Sequence, residues 1–128
     1  MRHQICATAF IAMLAIAAPA SAARKPPPEA TVIGPEESCV QIRNIRQTKV
    51  YDDQTIDFVM TGNKWYRNTL PNSCPQLGFE RAFSYQTSIP QLCNVDIITV
   101  LVQAGGLRRG ASCGLGKFIP IEPIKKAK

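Results

Sequence analysis

Four cysteines are the residues of this 128-residue chain whose type and spacing best support chemistry: Cys39, Cys74, Cys93 and Cys113. Structural zinc usually takes its thiolates in close pairs such as C-x2-C, and no such pair is present among them, so no metal site is predicted. A redox-active cysteine needs a nearby thiol or cation, and Cys113 has only Lys117, four residues further on. The fifth cysteine, Cys6, falls in the predicted signal peptide described below, and the even count of four that remains predicts two disulfides in a small exported chain, with three pairings open.

Any catalysis would rest on carboxylates, because the single histidine, His3, lies in the predicted signal peptide and the mature chain would have none. A pair of acids facing a cleft can hydrolyse a glycosidic bond. The candidates for such a pair are Asp52, Asp53, Asp57, Glu80 and Asp96. Turn, solvated-strand and capping positions account for most of them. "GLGK" lacks the pattern of a phosphate-binding P-loop. The sequence therefore predicts no catalytic residue and no cofactor.

Aromatic and basic side chains are the candidates for a binding surface. They fall in the hairpin region, in a glycine-rich loop and in "ASCGLGKF", as Trp65, Tyr66, Arg67, Arg108, Arg109 and Lys117. The net charge of +6 favours anionic partners. Basic and aromatic residues are not interleaved as on a nucleic-acid surface, so no nucleic-acid partner is expected. The alternative for Trp65 is a position at the rim of the core.

The elements that must position these residues are predicted to be short strands. A strand is indicated by the alternation of Ile56, Phe58 and Met60 on one face with Thr55, Asp57, Val59 and Thr61 on the other, and Gly62-Asn63 indicates a hairpin turn after it. Three antiparallel strands are expected near 45–52, 55–61 and 64–70. A second group follows at "AFSYQTSI" and at "VDIITVLVQ", a central strand. "CGLGKFIPI" is expected to be a short edge strand ended by Pro120. We predict a mainly antiparallel all-β fold of five to six strands, a small barrel or curled sheet.

The two ends of the chain are predicted to lie outside this domain. A positive start, a 12-residue apolar run and small residues at Ala20 and Ala22 are typical of a signal peptide over residues 1–22. The apolar run is too short to span a membrane. Residues 23–38 are proline-rich and predicted to be a disordered linker. A single domain is expected over 39–123, with a basic tail over 124–128.

The ordered motifs "CVQIRNI", "YDDQTIDF", "YRNTLPNSCPQLGF", "FSYQTS", "QLCNVDIITV" and "GASCGLGKFIP" resemble a family of small exported bacterial proteins, the domain of unknown function 6491. The resemblance covers residues 39–120, including the four cysteines and Asp96. It implies an exported, cysteine-bearing domain with no assigned activity, substrate or cofactor.

These observations favour a non-enzymatic periplasmic module, or a secreted one, that binds a protein or a component of the cell envelope. The 62–67 hairpin and the 104–110 loop are its expected contact surfaces. Two alternatives are a carboxylate-based hydrolase of envelope polymers and an electrostatic binder of anionic lipid or polysaccharide. The particular partner and the oligomeric state are left open by the sequence.

Overall fold

Short strands dominate the computed structural model, which describes residues 26–124. β-Branched and aromatic residues recur along this range, and they fit the pleated backbone of a sheet. The ten strands within it are Ala30–Val32 (β1), Cys39–Gln41 (β2), Ile45–Val50 (β3), Thr55–Met60 (β4), Lys64–Thr69 (β5), Phe83–Tyr85 (β6), Gln91–Cys93 (β7), Ile97–Val102 (β8), Arg108–Gly114 (β9) and Phe118–Pro123 (β10). A 3-10 turn at Ile42–Asn44 and a short helix at Leu77–Glu80 (α1) complete the described elements.

The largest sheet has five strands in the order β1-β10-β5-β4-β3. Its antiparallel strands β3, β4 and β5 confirm the three that the sequence predicts. The turn between β4 and β5 uses Gly62 and Asn63, whose φ angles of 80° and 57° lie in the left-handed region that these two residue types tolerate. Alternation along β4 places Ile56 and Phe58 in the core.

The sheet extends into the segment that the sequence analysis assigned to a disordered linker. β1 pairs antiparallel with β10, with Ala30 opposite Pro123. The Ile124 N–H also donates a hydrogen bond to the Glu29 carbonyl at 3.1 Å. The linker prediction therefore does not hold for residues 30–32, because pairing with β10 satisfies backbone groups that an isolated segment would leave to water.

β10 also differs from its prediction as a short edge strand ended by Pro120. It continues to Pro123 and has neighbours on both sides, β1 and β5. Pro120 lacks an N–H, but its carbonyl accepts a hydrogen bond from the Ile33 N–H at 3.0 Å. A proline therefore fits an interior strand here through its acceptor alone.

Two smaller sheets share the core with the five-stranded one. They have the orders β2-β7 and β6-β8-β9, so that β8 is central in its sheet, as predicted. The shared core combines Val40 and Leu92 from the first with Ile98 and Val100 from the second. Phe58 and Phe118 meet edge to face at its centre, with ring centroids 5.3 Å apart.

Two disulfides, Cys39–Cys93 and Cys74–Cys113, confirm the predicted framework and select one of the three pairings. The first joins opposite residues of β2 and β7. The second ties the segment after β5 to β9 and so connects two sheets. With sequence separations of 54 and 39 residues, loop-closure entropy gives each bridge about 4 kcal/mol of stabilisation.

The expected class, a mainly antiparallel all-β fold, is confirmed, and the sheets are not closed into a barrel. The strands within 26–124 outnumber the five to six expected, because three-residue strands such as β1 and β7 are too short to show a period. The predicted signal peptide lies outside the described residues, as does the basic tail beyond Ile124. Over residues 26–124 no helix is long and apolar enough to cross a membrane.

Charge is divided unevenly between the described residues and the two ends. Nine of the 15 Lys and Arg residues fall within 26–124, as do all nine Asp and Glu residues. This part of the chain is therefore neutral overall. The six remaining positive charges belong to Arg2, Arg24, Lys25, Lys125, Lys126 and Lys128.

Candidate binding site

An open groove of about 750 Å³ lies where β10 and β5 stop pairing. The two strands are paired from Phe118 opposite Asn68 to Ile121 opposite Trp65. Beyond that pair, β10 continues beside β1 alone, while the chain before β5 bends into the hairpin turn. Separation of the two strands leaves a gap that side chains line from both of them.

The groove is mostly apolar, with charge at its margin. Its lining residues come from the β4–β5 turn, from β5, from β10 and from the residue after β1, and they are Ile33, Asn63, Lys64, Trp65, Tyr66, Pro120, Ile121, Glu122 and Pro123. Lys64 and Glu122 supply one charge of each sign. Concave apolar sites with a few polar groups are the usual form of a binding site in proteins.

Trp65 lies between the groove and a cation. Its indole N–H donates a hydrogen bond to the Asn63 side-chain oxygen at 3.3 Å. The Lys49 ammonium nitrogen is 4.8 Å from the centroid of the indole ring, a cation–π distance. The ring is partly exposed. The cation and the hydrogen bond fix its position before any partner arrives.

Arg67, the second predicted binding residue of the hairpin, is held in an ion pair. Its guanidinium donates two hydrogen bonds to Asp57, at 2.8 and 2.9 Å. Asp57 is only 1% exposed, so this pair is largely removed from water. The hydrogen bond to Asp57 raises the pKa of the guanidinium above its ordinary value. Arg67 is therefore a structural cation and is not free to meet a ligand.

Tyr51 completes this network on the same face of the sheet. The Arg67 guanidinium carbon is 5.8 Å from the centroid of its ring. Burial raises the pKa of the Tyr51 phenol to about 12, and the charge of Asp57 and a hydrogen bond to it add to the rise, while Arg67 opposes it. The phenol is therefore a proton donor toward Asp57 throughout the neutral range.

Tyr66, the third hairpin residue, lies on the opposite face of β5 from Trp65 and Arg67. Burial raises its pKa, with a further rise from the neighbouring Glu37 carboxylate. Glu37 is held close by its backbone, which exchanges two hydrogen bonds with Phe118, of 2.7 and 2.8 Å. Trp65 and Tyr66 lie on opposite faces of β5, but both line the groove because it forms at the end of β5, where pairing with β10 stops.

The other three predicted binding residues do not join the groove. Arg108 and Arg109 lie on β9 of the three-stranded sheet, both exposed. Lys117 forms an exposed ion pair with Glu36 at 3.0 Å. Of the predicted set, the groove therefore contains only the aromatic members, Trp65 and Tyr66.

The candidate carboxylates are each engaged with neighbouring groups. Asp52 accepts hydrogen bonds from the Gln54 and Thr55 N–H groups, both at 2.8 Å, which is the predicted turn role. Asp96 accepts the Cys93 N–H at 2.7 Å, as a turn cap. Asp53, Asp57 and Glu80 accept from Gly78, Arg67 and Gln103 respectively. None of the described cavities is lined by two of these five acids.

The "ASCGLGKF" segment is attached to β5 by hydrogen bonds between Asn68 and Gly116, a contact called the clasp below. The buried Asn68 side chain donates to the Gly116 carbonyl at 2.7 Å and accepts the Gly116 N–H at 2.8 Å. A Cβ at Gly116 would overlap the Thr69 carbonyl oxygen. Gly116 thus lets the loop approach β5 closely enough for both hydrogen bonds.

Sequence reasoning missed the groove residues outside the hairpin, above all Ile33, Pro120, Ile121 and Pro123. The sequence feature that could have indicated Pro120, Ile121 and Pro123 is the apolar run "FIPIEP". Its prolines instead predict the end of an edge strand. The pairing of β1 with β10 brings Ile33 into the same groove as Trp65, and that pairing joins residues far apart in sequence.

Comparisons with known proteins give no relative to guide this assignment. No family model matches the chain, no curated protein matches it, and no solved structure matches it. The resemblance to the domain of unknown function 6491 therefore stays a prediction.

Proposed function

We propose that this protein is an exported, non-enzymatic module that binds a protein partner through the Trp65 groove. The observation that carries the proposal is the groove itself, an apolar gap with a fixed indole at its wall. Fixed aromatic residues in apolar pockets are typical anchors of protein interfaces, because little side-chain freedom is lost on binding.

The composition of the lining favours a protein segment over a sugar polymer. Two prolines, two isoleucines and two aromatic residues offer apolar contact, while a single cation and a single anion stand at the margin. A partner that inserts one apolar side chain and places polar backbone groups beside Lys64 and Glu122 satisfies this arrangement. The engagement of the five candidate acids in local hydrogen bonds and one ion pair supports binding over hydrolysis.

Export is the second part of the proposal. Two disulfides are typical of chains that fold in an oxidising compartment, and the N-terminal pattern is that of a signal peptide. A periplasmic location fits both features, with secretion as the alternative.

The test uses the single tryptophan of the chain, Trp65, as its own reporter. Peptides selected from a displayed random library on the protein should carry a shared apolar anchor and should shift the fluorescence emission of Trp65. Replacing Ile33 by Ser removes groove surface at a side chain that is 60% exposed, so the fold should persist. We expect peptide affinity to fall about tenfold, equivalent to 1.4 kcal/mol.

Ile97→Ser is the matched control, because Ile97 is 58% exposed and lies outside the groove. It should leave both the emission shift and the affinity unchanged. Equal losses in the two variants, or a shift produced by envelope polysaccharide but by no selected peptide, would contradict a protein-binding groove.

A further inference from the structure

Two apolar side chains outside the groove are left almost entirely in water. Phe79 in α1 is 83% exposed and Leu107 in the β8–β9 loop is 71% exposed. The helix also has a buried face, because Leu77, two residues before Phe79, is fully buried. The single helical turn therefore sends one large apolar side chain inward and another outward.

Hydrogen bonds between α1 and the end of β8 bring the segments that carry these residues together. The Gln103 N–H donates to the Glu80 carboxylate at 3.3 Å, and the Gln103 side chain donates to the Glu80 carbonyl at 3.5 Å. Phe79 directly precedes Glu80. Leu107 lies across the loop from Gln103, one residue beyond the Val102–Arg108 pair. Phe79 and Leu107 thus occupy one corner of the molecule, here called the Phe79–Leu107 corner.

The charged side chains at this corner differ in accessibility according to their sign. The exposed cations are Arg81, which directly follows α1, and Arg108, whose guanidinium donates a hydrogen bond to the Ala104 carbonyl at 3.4 Å. The nearby acids are half-buried, and their oxygens accept backbone N–H groups, Glu80 from Gln103 and Asp53 from Gly78. The surface presented to a partner is therefore apolar at its tip and cationic around it.

We propose that the Phe79–Leu107 corner docks on an anionic lipid surface. An aromatic and an aliphatic side chain that insert at the headgroup boundary, with arginines that contact lipid phosphates, are the pattern of an interfacial membrane contact. The β8–β9 loop turns at Gly105 and Gly106, whose positive φ angles of 72° and 102° are readily adopted only by glycine. The docking surface shares no residue with the groove, so a bound membrane and a bound protein can coexist.

The experiment measures sedimentation with lipid vesicles, using the chain from residue 23, which keeps every residue that the structure describes. Vesicles of phosphatidylcholine with 30% phosphatidylglycerol are compared with pure phosphatidylcholine. We expect binding to the anionic vesicles alone, weakened by salt. Arg108→Gln should lower the apparent affinity about fivefold, as expected for one basic residue near an anionic surface. Phe79→Ser and Leu107→Ser should each lower it further.

Val32→Ser is the matched control for the two apolar variants, because Val32 is 61% exposed and lies on β1, in the five-stranded sheet. It should bind vesicles like the parent chain, and the terminal lysines common to all variants cancel in the comparison. Vesicle binding that ignores Phe79 and Leu107 would reduce the effect to general charge attraction and overturn the proposal. Absence of vesicle binding would also overturn it, as would binding to polyglutamate alone that depends on Phe79, since the partner would then be an acidic protein.

Ile33→Ser separates this proposal from the proposed function. It should weaken peptide binding in the groove and leave vesicle binding unchanged, whereas Phe79→Ser should do the reverse. A negative result for vesicle binding therefore does not contradict peptide binding in the groove, and a negative result for peptide binding does not contradict vesicle binding.

Discussion

Two residues, Asn68 and Gly116, hold the "ASCGLGKF" segment against β5. Asn68 is fully buried, and its amide meets both backbone groups of Gly116. A buried amide with both ends satisfied stabilises the fold, whereas the same amide without partners would cost the free energy of removing it from water. The two glycines of the segment therefore play different parts. Gly116 closes this contact, and Gly114 lies in the open.

Gly116→Ala and Gly114→Ala make a matched pair of variants. The first places a methyl group against the Thr69 carbonyl and forces the loop away from Asn68, so we expect about 1–3 kcal/mol of destabilisation. The second meets no atom within 4 Å and should change stability by less than about 0.5 kcal/mol. Urea denaturation monitored by Trp65 fluorescence measures both. Equal effects of the two substitutions would show that the clasp contributes nothing.

The Tyr51 phenol makes the stability of the folded chain depend on pH. Its pKa is raised to about 12 in the folded chain, above the ordinary value of 10.0, chiefly by burial. Between these values the folded chain keeps a proton that the unfolded chain releases. The contribution of Tyr51 to stability is therefore intact below about pH 10 and is lost as the pH rises towards 12.

Spectrophotometric titration of the phenolate tests this expectation. The folded protein should show a late component that urea abolishes, and Tyr51→Phe should remove most of that component. Titration of Tyr51 near its ordinary pKa of 10.0 in the folded state would contradict its burial against Asp57.

At the scale of elements, the sequence predicts strands best where alternation extends over six residues. β3, β4 and β5 match their predicted positions because the pattern of Ile56, Phe58 and Met60 and the Gly62-Asn63 turn are both local signals. The sequence predicts a strand at β10 but ends it at Pro120, and it assigns β1 to a linker, because proline and short length argue against strands and the pairing of β1 with β10 joins distant segments.

The same limit explains how much of the candidate site the sequence revealed. The sequence predicts Trp65 and Tyr66 as binding residues because large aromatic side chains beside a hairpin turn are conspicuous, and both line the candidate groove. Ile33 was missed because only tertiary pairing gives it a neighbour. Arg67 was assigned to a binding surface because the sequence does not show that Asp57 lies directly opposite it on β4.

For the whole molecule, the two disulfides and the predicted export make one joint prediction. If residues 1–22 are removed on export, the mature chain begins at Ala23 and loses Cys6, the fifth cysteine. Mass spectrometry of the exported, unreduced protein should then give a mass that starts at Ala23, with no thiol to alkylate after denaturation. One alkylated thiol would indicate an unprocessed chain that retains Cys6, and two or more would contradict the paired cysteines.

The position of β10 links the fold to the order in which the chain is made. This strand contains the last described residues of the sheet, yet it lies between β1 and β5 and supplies the fully buried Phe118. A chain whose synthesis has not yet reached β10 lacks the strand that joins β1 to the rest of the sheet. The five-stranded sheet can therefore close only after Phe118–Pro123 has been made and is free to pair. Until then β1 lacks the strand with which it pairs in the folded sheet.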